Sequence, residues 1–409
     1  MGSDNAKFLV IDSKRAFDSE LNAQEKSELN VFNIFDKEWR DGESAKRKPI
    51  VIKNVDKRMN SDLWSSEWFK KKFSGKNDIK VDLINCENGR EIKSIGMSLF
   101  WSGFDKIDDL GLKDPKTNKF FNILKLKDWP PAKDFKIVLK EQYDDLMRNL
   151  PVKEYCNRDG TLNLGANVPE HFLKPDLGPK LYIAYSSVDT PKAGTTNLHI
   201  DISDAFNIIM YVGENHEIDE KKFRKMIQQT KLSPKTPQLI NNVNNNFNKP
   251  KQEAKRKNEK TEYMIEYLKH SGISQDQIDR YEKGRECPGA IWHLFRPEDA
   301  NKIRNFLSKK EGKITSGDLI HDQRFYIDAK MLVDLKAEFN VTPYTILQFE
   351  GDAIFIPAGS PHQVSIFDCS ELNSIDHCQS ELEYFFSLIL TSFPYLFHIT
   401  TNFWENINV

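Results

Sequence analysis

The sequence lacks an excess of either charge: 59 lysine and arginine residues stand against 61 aspartate and glutamate residues, a formal net charge of −2. A protein that coats nucleic acid would be strongly basic, so this balance argues against that class and against direct sequence-specific DNA binding. Residues 1–14 also lack an apolar stretch as long as the hydrophobic region of a signal peptide. A cleavable signal peptide is therefore not predicted.

Cysteine is scarce, and no two cysteines form a C-x-x-C pair. The five are Cys86, Cys156, Cys287, Cys369 and Cys378. A disulfide framework would need an even set in a small secreted chain, and a structural zinc module would need closely spaced pairs. A reducing compartment is the better fit.

The sequence does contain enough apolar material for a folded core, with 39% hydrophobic and 11% aromatic residues in a chain of 409. That length suits one large domain or two medium ones. Residues 1–45 are highly charged and helix-like, residues 46–365 hold the apolar runs, and residues 366–409 form a tail of different character. The Lys- and Asn-rich residues 214–260 are interpreted as a low-complexity surface insertion.

Short runs rich in β-branched and aromatic residues recur through the middle segment and predict strands. Leu181–Tyr185 and Ala205–Val212 predict a strand pair. Tyr344–Phe349 and Ala353–Pro357 predict strands on either side of a tight turn at Gly351. Because the helical patterns are grouped elsewhere, the sequence predicts a mainly β fold, a barrel or sandwich with helical additions.

The strongest chemical signal is His199-Ile-Asp201, because residues two apart on a strand point to the same face. A second histidine, His362, follows Gly351 and Pro357, which shape a strand end. Two histidines and one carboxylate form the facial triad of non-haem iron oxygenases, which leaves coordination positions open for an oxo-acid and dioxygen. An H-x-D tripeptide alone is a weak signal, and a strand histidine followed by a turn aspartate is the alternative interpretation.

The remaining histidines make poorer metal ligands. His321 and Asp322 are adjacent and would diverge on a strand, and His377-Cys378 has no partner at zinc spacing. Three more are interpreted as ordinary surface or packed residues: His171, His270 and His398.

Seven motifs, in order along the chain, carry a family resemblance. They are Leu124–Pro131, Arg158–Leu164, Pro175–Lys180, Gly194–Ala205, Pro288–His293, Ile320–Gln323 and Gly351–Val364. Through them the region from Phe35 to Ser365 resembles the JmjC histone demethylases that act on mono- and dimethyl-lysine 9 of histone H3, a subfamily that includes the hairless-type proteins. The resemblance implies a double-stranded β-helix, the cupin-like jelly roll, with helical flanks.

The resemblance also implies a site that uses Fe(II) as cofactor and 2-oxoglutarate as co-substrate. It assigns the iron to His199, Asp201 and His362. Thr196 stands three residues before the first histidine, where related oxygenases place a hydroxyl on the co-substrate carboxylate, and Asn207 on the next strand is expected to hydrogen-bond the same molecule. A turn role for Thr196 is the competing interpretation.

One departure from the family concerns the far carboxylate of 2-oxoglutarate. The family tends to carry a lysine three residues after the strand-ending glycine, which here is Gly213, and His216 occupies that position. The charge of an imidazole is partial near neutral pH. The alternatives are that His216 faces solvent and that Lys180, Lys192 or no residue supplies the cation.

A second departure is the end of the chain, which abandons the family pattern after Ser365. Tyr384–Thr401 is nearly uncharged but is interrupted by Pro394 and His398, and it barely reaches the length of a membrane span. A divergent C-terminal tail is therefore favoured over a membrane segment. The cysteine-rich zinc module of the family is also missing, which indicates a fragment or a reduced member.

The resemblance implies a demethylase of N-methyl-lysine, with mono- or dimethylated lysine 9 of histone H3 as the expected substrate. Tyr182 matches a tyrosine near the substrate methyl-lysine in this fold, although a core role is its alternative. The expected setting is nuclear transcription regulation, with a methylated histone tail and chromatin-associated proteins as partners and no membrane. Two rival interpretations are a JmjC hydroxylase acting on another protein and a catalytically impaired chromatin scaffold, for which the exchange at His216 speaks.

Overall fold

The computed structural model describes residues 8–13, 30–41, 48–85, 89–103, 112–113, 118, 124–169, 171, 178–185, 196–201, 203–214, 265, 268–269, 271–283, 286, 288–312, 317–366 and 382–392. His216, Lys192 and all but the first residue of the expected insertion at 214–260 lie outside these residues. The same holds for three of the other histidines and the cysteine beside one of them: His270, His377, Cys378 and His398.

The strands of the described residues form two sheets. Their bounds are β1 Leu9–Asp12, β2 Ile50–Lys53, β3 Lys80–Asn85, β4 Glu91–Gly96, β5 Leu124–Trp129, β6 Lys180–Tyr185, β7 Thr196–His199, β8 Asp204–Glu214, β9 Pro288–Leu294, β10 Tyr344–Phe349, β11 Ala353–Ile356, β12 His362–Ile366 and β13 Leu382–Ser392. One sheet has nine strands in the order β1-β2-β11-β8-β13-β6-β5-β3-β4. The other has four, in the order β10-β9-β12-β7.

The C-terminal tail contributes the strand at the middle of the larger sheet. β13 pairs antiparallel with β8 on one side and with β6 on the other. The two apolar runs expected to pair with each other do form β6 and β8, but they are separated by β13. A strand from a remote part of the chain takes the position between them, so the prediction of a direct β6–β8 pair was wrong.

Helices pack on the outside of the sheets. Their bounds are α1 Val31–Asp41, α2 Ser66–Lys72, α3 Met97–Ser102, α4 Phe135–Val138, α5 Lys140–Asn149, α6 Lys153–Cys156, α7 Gln275–Glu282, α8 Ala300–Glu311 and α9 Ala329–Phe339. Short 3-10 helices lie at Val55–Arg58, Ser61–Trp64, Gly75–Asn77, Leu164–Asn167 and Pro297–Asp299. Within the ranges given above, no helix has the length and apolarity needed to cross a bilayer.

The N-terminal segment expected to be helical contains both a helix and a strand. In α1, Phe35 and Trp39 are four residues apart, so they share one face of the helix, and both are buried. Phe35 packs edge-on against Phe355 of β11, with ring centroids 4.6 Å apart. Leu9–Asp12, however, forms β1 in parallel with β2. The helical expectation therefore holds for Val31–Asp41 and not for β1.

Apolar side chains from both sheets meet in one cluster, which we call the intersheet core. Its members from the larger sheet include Val51, Ile209 and Ile354, and those from the smaller sheet include Trp292, Ile346 and Val364. A separate cluster joins α8 and α9 to Leu198 of β7. Two apposed sheets with helices outside them confirm the predicted mainly β fold with helical additions.

Candidate metal centre

Two histidines that are far apart in sequence meet across the β7–β12 strand pair. His199 ends β7 and His362 begins β12, and the two are direct partners in the antiparallel register. Residues directly opposite each other project to the same face. Their imidazole centroids are 4.1 Å apart.

Asp201 joins them from just beyond the end of β7. Its backbone carbonyl accepts a hydrogen bond from the N–H of Gly359 at 3.0 Å, which ties it to the turn before His362. Gly359 has a φ of 75°, a conformation that favours glycine. The carboxylate Oδ2 of Asp201 lies 3.6 Å from Nε2 of His362.

The three side chains singled out in the sequence therefore lie together. One possible ligand atom from each of His199, Asp201 and His362 lies within 4.8 Å of the other two. Across the described part of the chain, this is the one group of three such side chains with that spacing. Two nitrogens and one carboxylate oxygen are the donor set of a facial triad, so the residues fit a divalent iron ion.

The hydrogen bonds of the two imidazoles fix which ring nitrogen faces the site. Nδ1 of His199 lies 2.9 Å from the carbonyl of Asn197, and Nδ1 of His362 lies 2.9 Å from the carbonyl of Ser360. A carbonyl only accepts, so each Nδ1 carries the proton and donates it. Each Nε2 then has its lone pair for a metal, the arrangement typical of metal-binding histidines.

The electrostatic environment keeps one of these imidazoles neutral. Burial lowers the pKa of His199 well below its ordinary value, and the charge of nearby His362 acts in the same direction. A histidine must be unprotonated at the ligating nitrogen to bind a metal. The lowered pKa of His199 therefore favours the form that binds metal at neutral pH.

Thr196 reaches the same face as His199 through an irregularity in the strand pairing. Residues three apart on a regular strand project to opposite faces. Here His362 pairs with His199 and Val364 pairs with Thr196, so three steps along β7 oppose two along β12, as in a β-bulge. Val364 belongs to the intersheet core, and Thr196 shares its face.

Asn207 lies on β8 with its side chain buried, and its neighbours lead back to the metal centre. Its Oδ1 accepts a hydrogen bond from Nε2 of Gln348 at 3.1 Å. Gln348 in turn accepts from the indole N–H of Trp292 at 2.6 Å, and that indole stacks beside His362 with ring centroids 6.2 Å apart. Gln348 is not predicted from the sequence, because a single polar residue in an apolar strand carries no motif signal. Trp292 belongs to the motif Pro288–His293, but the motif alone assigns it no role.

Tyr182 lies on β6 and contacts an acidic residue. Ala184, two residues further along the strand, belongs to the intersheet core, so Tyr182 also faces inward. Its hydroxyl donates a hydrogen bond to the carboxylate of Asp128. Asp128 lies near the end of β5 with a φ of 54°. This tyrosine–aspartate pair is not predicted from the sequence, since its partners come from different strands.

The charges of three lysines act on this pair, and two of them also act on His199. Burial raises the pKa of Asp128, and the charges of Lys127, Lys180 and Lys125 oppose that rise. The charges of Lys127 and Lys125 also contribute to lowering the pKa of His199. Lys125 and Lys127 are two apart on β5, so they face the same side of the strand. Positive charge beside the metal ligands suits an anionic co-substrate.

Comparison with known proteins gives a match that includes His362. Residues 285–372 match the family model described as JmjC domain, hydroxylase. The matched region contains β9 to β12, which form most of the smaller sheet and one strand of the larger. The double-stranded β-helix expected from the sequence is thereby confirmed as the fold class.

Similarity to individual proteins extends over more of the chain. The sequence is 33% identical over 418 aligned residues, covering 100% of this chain, to lysine-specific demethylase 3A of Homo sapiens. It is 36% identical over 358 residues, covering 84% of the chain, to lysine-specific demethylase 3 of Drosophila melanogaster. A match of 33% over 346 residues is to the human probable JmjC domain-containing histone demethylation protein 2C. The chain spans only 27%, 36% and 12% of these three curated relatives.

Proposed function

Because the chain is a JmjC-domain protein that resembles lysine-specific demethylases along its length, we propose that it demethylates N-methyl-lysine with Fe(II) and 2-oxoglutarate. The expected substrate is lysine 9 of histone H3 in its mono- or dimethylated form. The observation that carries the proposal is the convergence of His199, Asp201 and His362, with both Nε2 atoms available for a metal. A nuclear, chromatin-associated role belongs to the same proposal, as does a methylated histone tail as partner.

The three ligands would hold iron on one side and leave the other side for co-substrate and dioxygen. Bound iron would supply the activation of dioxygen, which is the oxidant: one oxygen atom would go to 2-oxoglutarate, giving succinate and carbon dioxide, and the other would hydroxylate a methyl C–H bond next to nitrogen, giving a hemiaminal that releases formaldehyde. The carbonyls of Asn197 and Ser360 hold the two imidazoles in one orientation. Val364 and Trp292 form part of an apolar wall that excludes water from the reacting side.

Thr196 and Asn207 are proposed contacts to 2-oxoglutarate. Thr196 shares a face with His199, and Asn207 is buried on β8 and linked through two side chains to His362. A hydroxyl and an amide N–H are suitable donors to a carboxylate. The neighbouring charges of Lys125 and Lys127 would raise the local concentration of a dianion.

Tyr182 is a proposed contact to the methylated lysine, and its partner Asp128 gives the proposal a chemical basis. A mono- or dimethylammonium group keeps an N–H that a carboxylate can accept, whereas a trimethylammonium group has none. Asp128 accepts from the Tyr182 hydroxyl and pairs with Lys127 at 3.7 Å, and a carboxylate has lone pairs for a further donor. The pair is therefore consistent with a preference for the lower methylation states.

An assay of the purified chain tests the proposed function. With Fe(II), 2-oxoglutarate and histone H3 peptides carrying one, two or three methyl groups on lysine 9, we expect succinate and formaldehyde in equal amounts. Mass spectrometry should show loss of methyl groups from the mono- and dimethyl peptides. A peptide that gains oxygen and keeps its methyl groups would favour the rival hydroxylase. Failure to bind a divalent metal would favour the impaired scaffold.

His216 is the proposed partner of the far carboxylate of 2-oxoglutarate, in the place of the family's lysine. The alternative cation Lys180 donates from Nζ to the carbonyl of Pro130 at 2.9 Å, a contact that competes with a role in the site. We expect His216→Lys to tighten 2-oxoglutarate binding by about tenfold or more, because a permanent charge strengthens the hydrogen bond by about 1.5–3 kcal/mol.

The pH dependence of binding gives this prediction a second readout. In the unchanged protein, affinity for 2-oxoglutarate should fall as pH rises through about 6.5, where an ordinary imidazole loses its charge. The His216→Lys curve should be flat over that range. Calorimetry in the presence of Mn(II) measures the 2-oxoglutarate affinity of both proteins. His321→Lys is the control, because it makes the same exchange at an exposed position. Superimposable curves for the unchanged and His216→Lys proteins would remove His216 from the site.

A further inference from the structure

Gln348 is a buried polar side chain near the end of β10, on the strand face that carries Ile346 of the intersheet core. It is 0% exposed. Its Oε1 accepts a hydrogen bond from Nε1 of Trp292 at 2.6 Å. Its Nε2 donates to the carbonyl of Asp352 at 2.9 Å and to Asn207, whose Oδ1 lies at 3.1 Å and whose backbone carbonyl lies at 3.3 Å. A polar group in such an interior is costly unless it is fully hydrogen-bonded, so its presence calls for an explanation.

The partners of Gln348 leave its amide a single orientation. The indole N–H of Trp292 can only donate, so it requires the oxygen of the glutamine. The backbone carbonyl of Asp352 can only accept, so it requires the nitrogen. Exchange of the amide oxygen and nitrogen would break both contacts. The orientation is therefore set by groups whose own roles are fixed by their chemistry.

The fixed amide of Gln348 in turn orients Asn207. An amide nitrogen only donates, so the atom of Asn207 facing Gln348 must be its oxygen. The other end of the Asn207 side chain is then an NH2 group, which only donates. A carboxylate accepts from such a group and would repel the oxygen of a reversed amide. A carboxylate co-substrate needs a donor from Asn207, and Gln348 determines which end of the Asn207 amide is that donor.

Gln348 also positions a side chain beside the candidate metal ligand His362. Its contact with Trp292 fixes the indole, whose ring lies 6.2 Å from that of His362 at an interplanar angle of 26°. The chain of contacts from Asn207 through Gln348 and Trp292 to His362 consists of side chains that are each no more than 2% exposed. Hydrogen bonds are stronger in an interior of low dielectric constant, so these side chains keep a fixed geometry.

We propose that Gln348 is a positioning residue for co-substrate binding, which sets the donor end of Asn207 towards the carboxylate of 2-oxoglutarate and holds Trp292 beside His362. The inference rests on the proposed function, because it assumes that 2-oxoglutarate binds beside these residues. It adds that the affinity for 2-oxoglutarate depends on Gln348, a residue that contacts neither the metal nor the co-substrate.

The test measures binding of 2-oxoglutarate and of Mn(II) to Gln348→Met, which keeps the side-chain volume and removes its hydrogen bonds. We expect the Kd of 2-oxoglutarate, measured with Mn(II) present, to rise about tenfold to a hundredfold, since a misoriented Asn207 loses a hydrogen bond to a charged group. The Kd of Mn(II) should change much less. Gln348→Glu, which keeps an acceptor for Trp292, should also weaken 2-oxoglutarate binding and serves if the first variant does not fold.

Gln277→Met is the matched control. Gln277 is another buried glutamine bound to β10: it donates to the carbonyl of Thr345 at 3.2 Å and accepts from the N–H of Leu347 at 2.6 Å. It lies on α7, outside the intersheet core. Its loss should lower thermal stability and leave the 2-oxoglutarate affinity unchanged.

A double variant separates positioning from general damage. In an Asn207→Leu background, Gln348→Met should weaken 2-oxoglutarate binding far less than it does alone, because there is no amide left to orient. Unchanged affinity in Gln348→Met, or an equal loss in Gln277→Met, would overturn the inference and leave the proposed function standing. An unchanged protein that binds Mn(II) but not 2-oxoglutarate would overturn both.

Discussion

Asp201→Ala should abolish turnover and lose most affinity for divalent metal while the protein stays folded. The carboxylate is the one anionic ligand of the candidate centre. Removing a residue that only hydrogen-bonds a ligand lowers metal affinity roughly 10–100-fold, and removing the carboxylate ligand itself should lower it more. The fold should survive, because the contact with Gly359 is made by the backbone carbonyl of Asp201 and not by its side chain. Calorimetric titration with Mn(II), circular dichroism and the demethylation assay measure the three quantities.

Asp322→Ala is the control for this change. The Asp322 side chain is 34% exposed, close to the 33% of Asp201, and it pairs with Arg324 outside the metal centre. Its loss should leave metal affinity and turnover intact. If Asp201→Ala bound Mn(II) as tightly as Asp322→Ala does, the iron site and the oxygenase function would both be wrong.

Arg280→Met should lower the free energy of unfolding by about 3–5 kcal/mol, the usual cost of breaking a buried ion pair from one side. Arg280 lies on α7 and donates two hydrogen bonds, at 2.6 and 2.7 Å, to the carboxylate of Asp352. That carboxylate is 0% exposed, in the turn between β10 and β11. Without the guanidinium the buried carboxyl must either keep an uncompensated charge or take up a proton, and both lower stability at neutral pH. Denaturant unfolding at neutral pH measures the loss.

The loss in free energy of unfolding caused by Arg280→Met should be smaller at lower pH. Burial raises the pKa of Asp352 from 3.8 to about 6, although Arg280 opposes the rise. A carboxyl whose folded-state pKa is raised binds protons more readily when folded, so lowering the pH favours the folded state until the unfolded carboxyl is protonated as well. Without Arg280 the pKa of Asp352 should lie above about 6, so the Arg280→Met deficit should shrink as the pH falls towards about 6 and level off below it.

Lys283→Met is the matched control, at the residue that directly follows α7. Lys283 pairs with Asp279 at 2.8 Å, but its side chain is 70% exposed. Solvent screens the charges of an exposed pair, so this variant should unfold almost like the unchanged protein. Equal stability of the two variants would show that the buried pair does not hold the β10–β11 turn.

The sequence was sufficient to select the three metal-ligand candidates, but for a reason that is only partly correct. The same-face argument assumed that His199 and Asp201 share a strand. In the structure β7 ends at His199, and Asp201 is instead held by the N–H of Gly359. The position of Thr196 depends on a bulge opposite β12, and a bulge is created by pairing between strands that no local pattern reveals.

Features that depend on distant partners could not be predicted. β1 lies in a highly charged segment and is a strand because it pairs with β2. The nearly uncharged run in the tail was compatible with several structures, and its pairing with β6 and β8 decides among them. Gln348 is similar, because its role comes from Asn207, Trp292 and Asp352, which are brought together only by the folded sheets.

The position of β13 has a consequence for how the protein is made. It is the last of the described strands to leave the ribosome, yet it fills the middle of the larger sheet. Until residues 382–392 emerge, β6 and β8 each keep a row of backbone N–H and C=O groups without that neighbour. Pairing of such high contact order is slow, so nascent chains should carry two open strand edges, one of them on the strand that bears Asn207, from the synthesis of β8 until that of β13. Such chains are natural clients for chaperones that cover exposed strand edges.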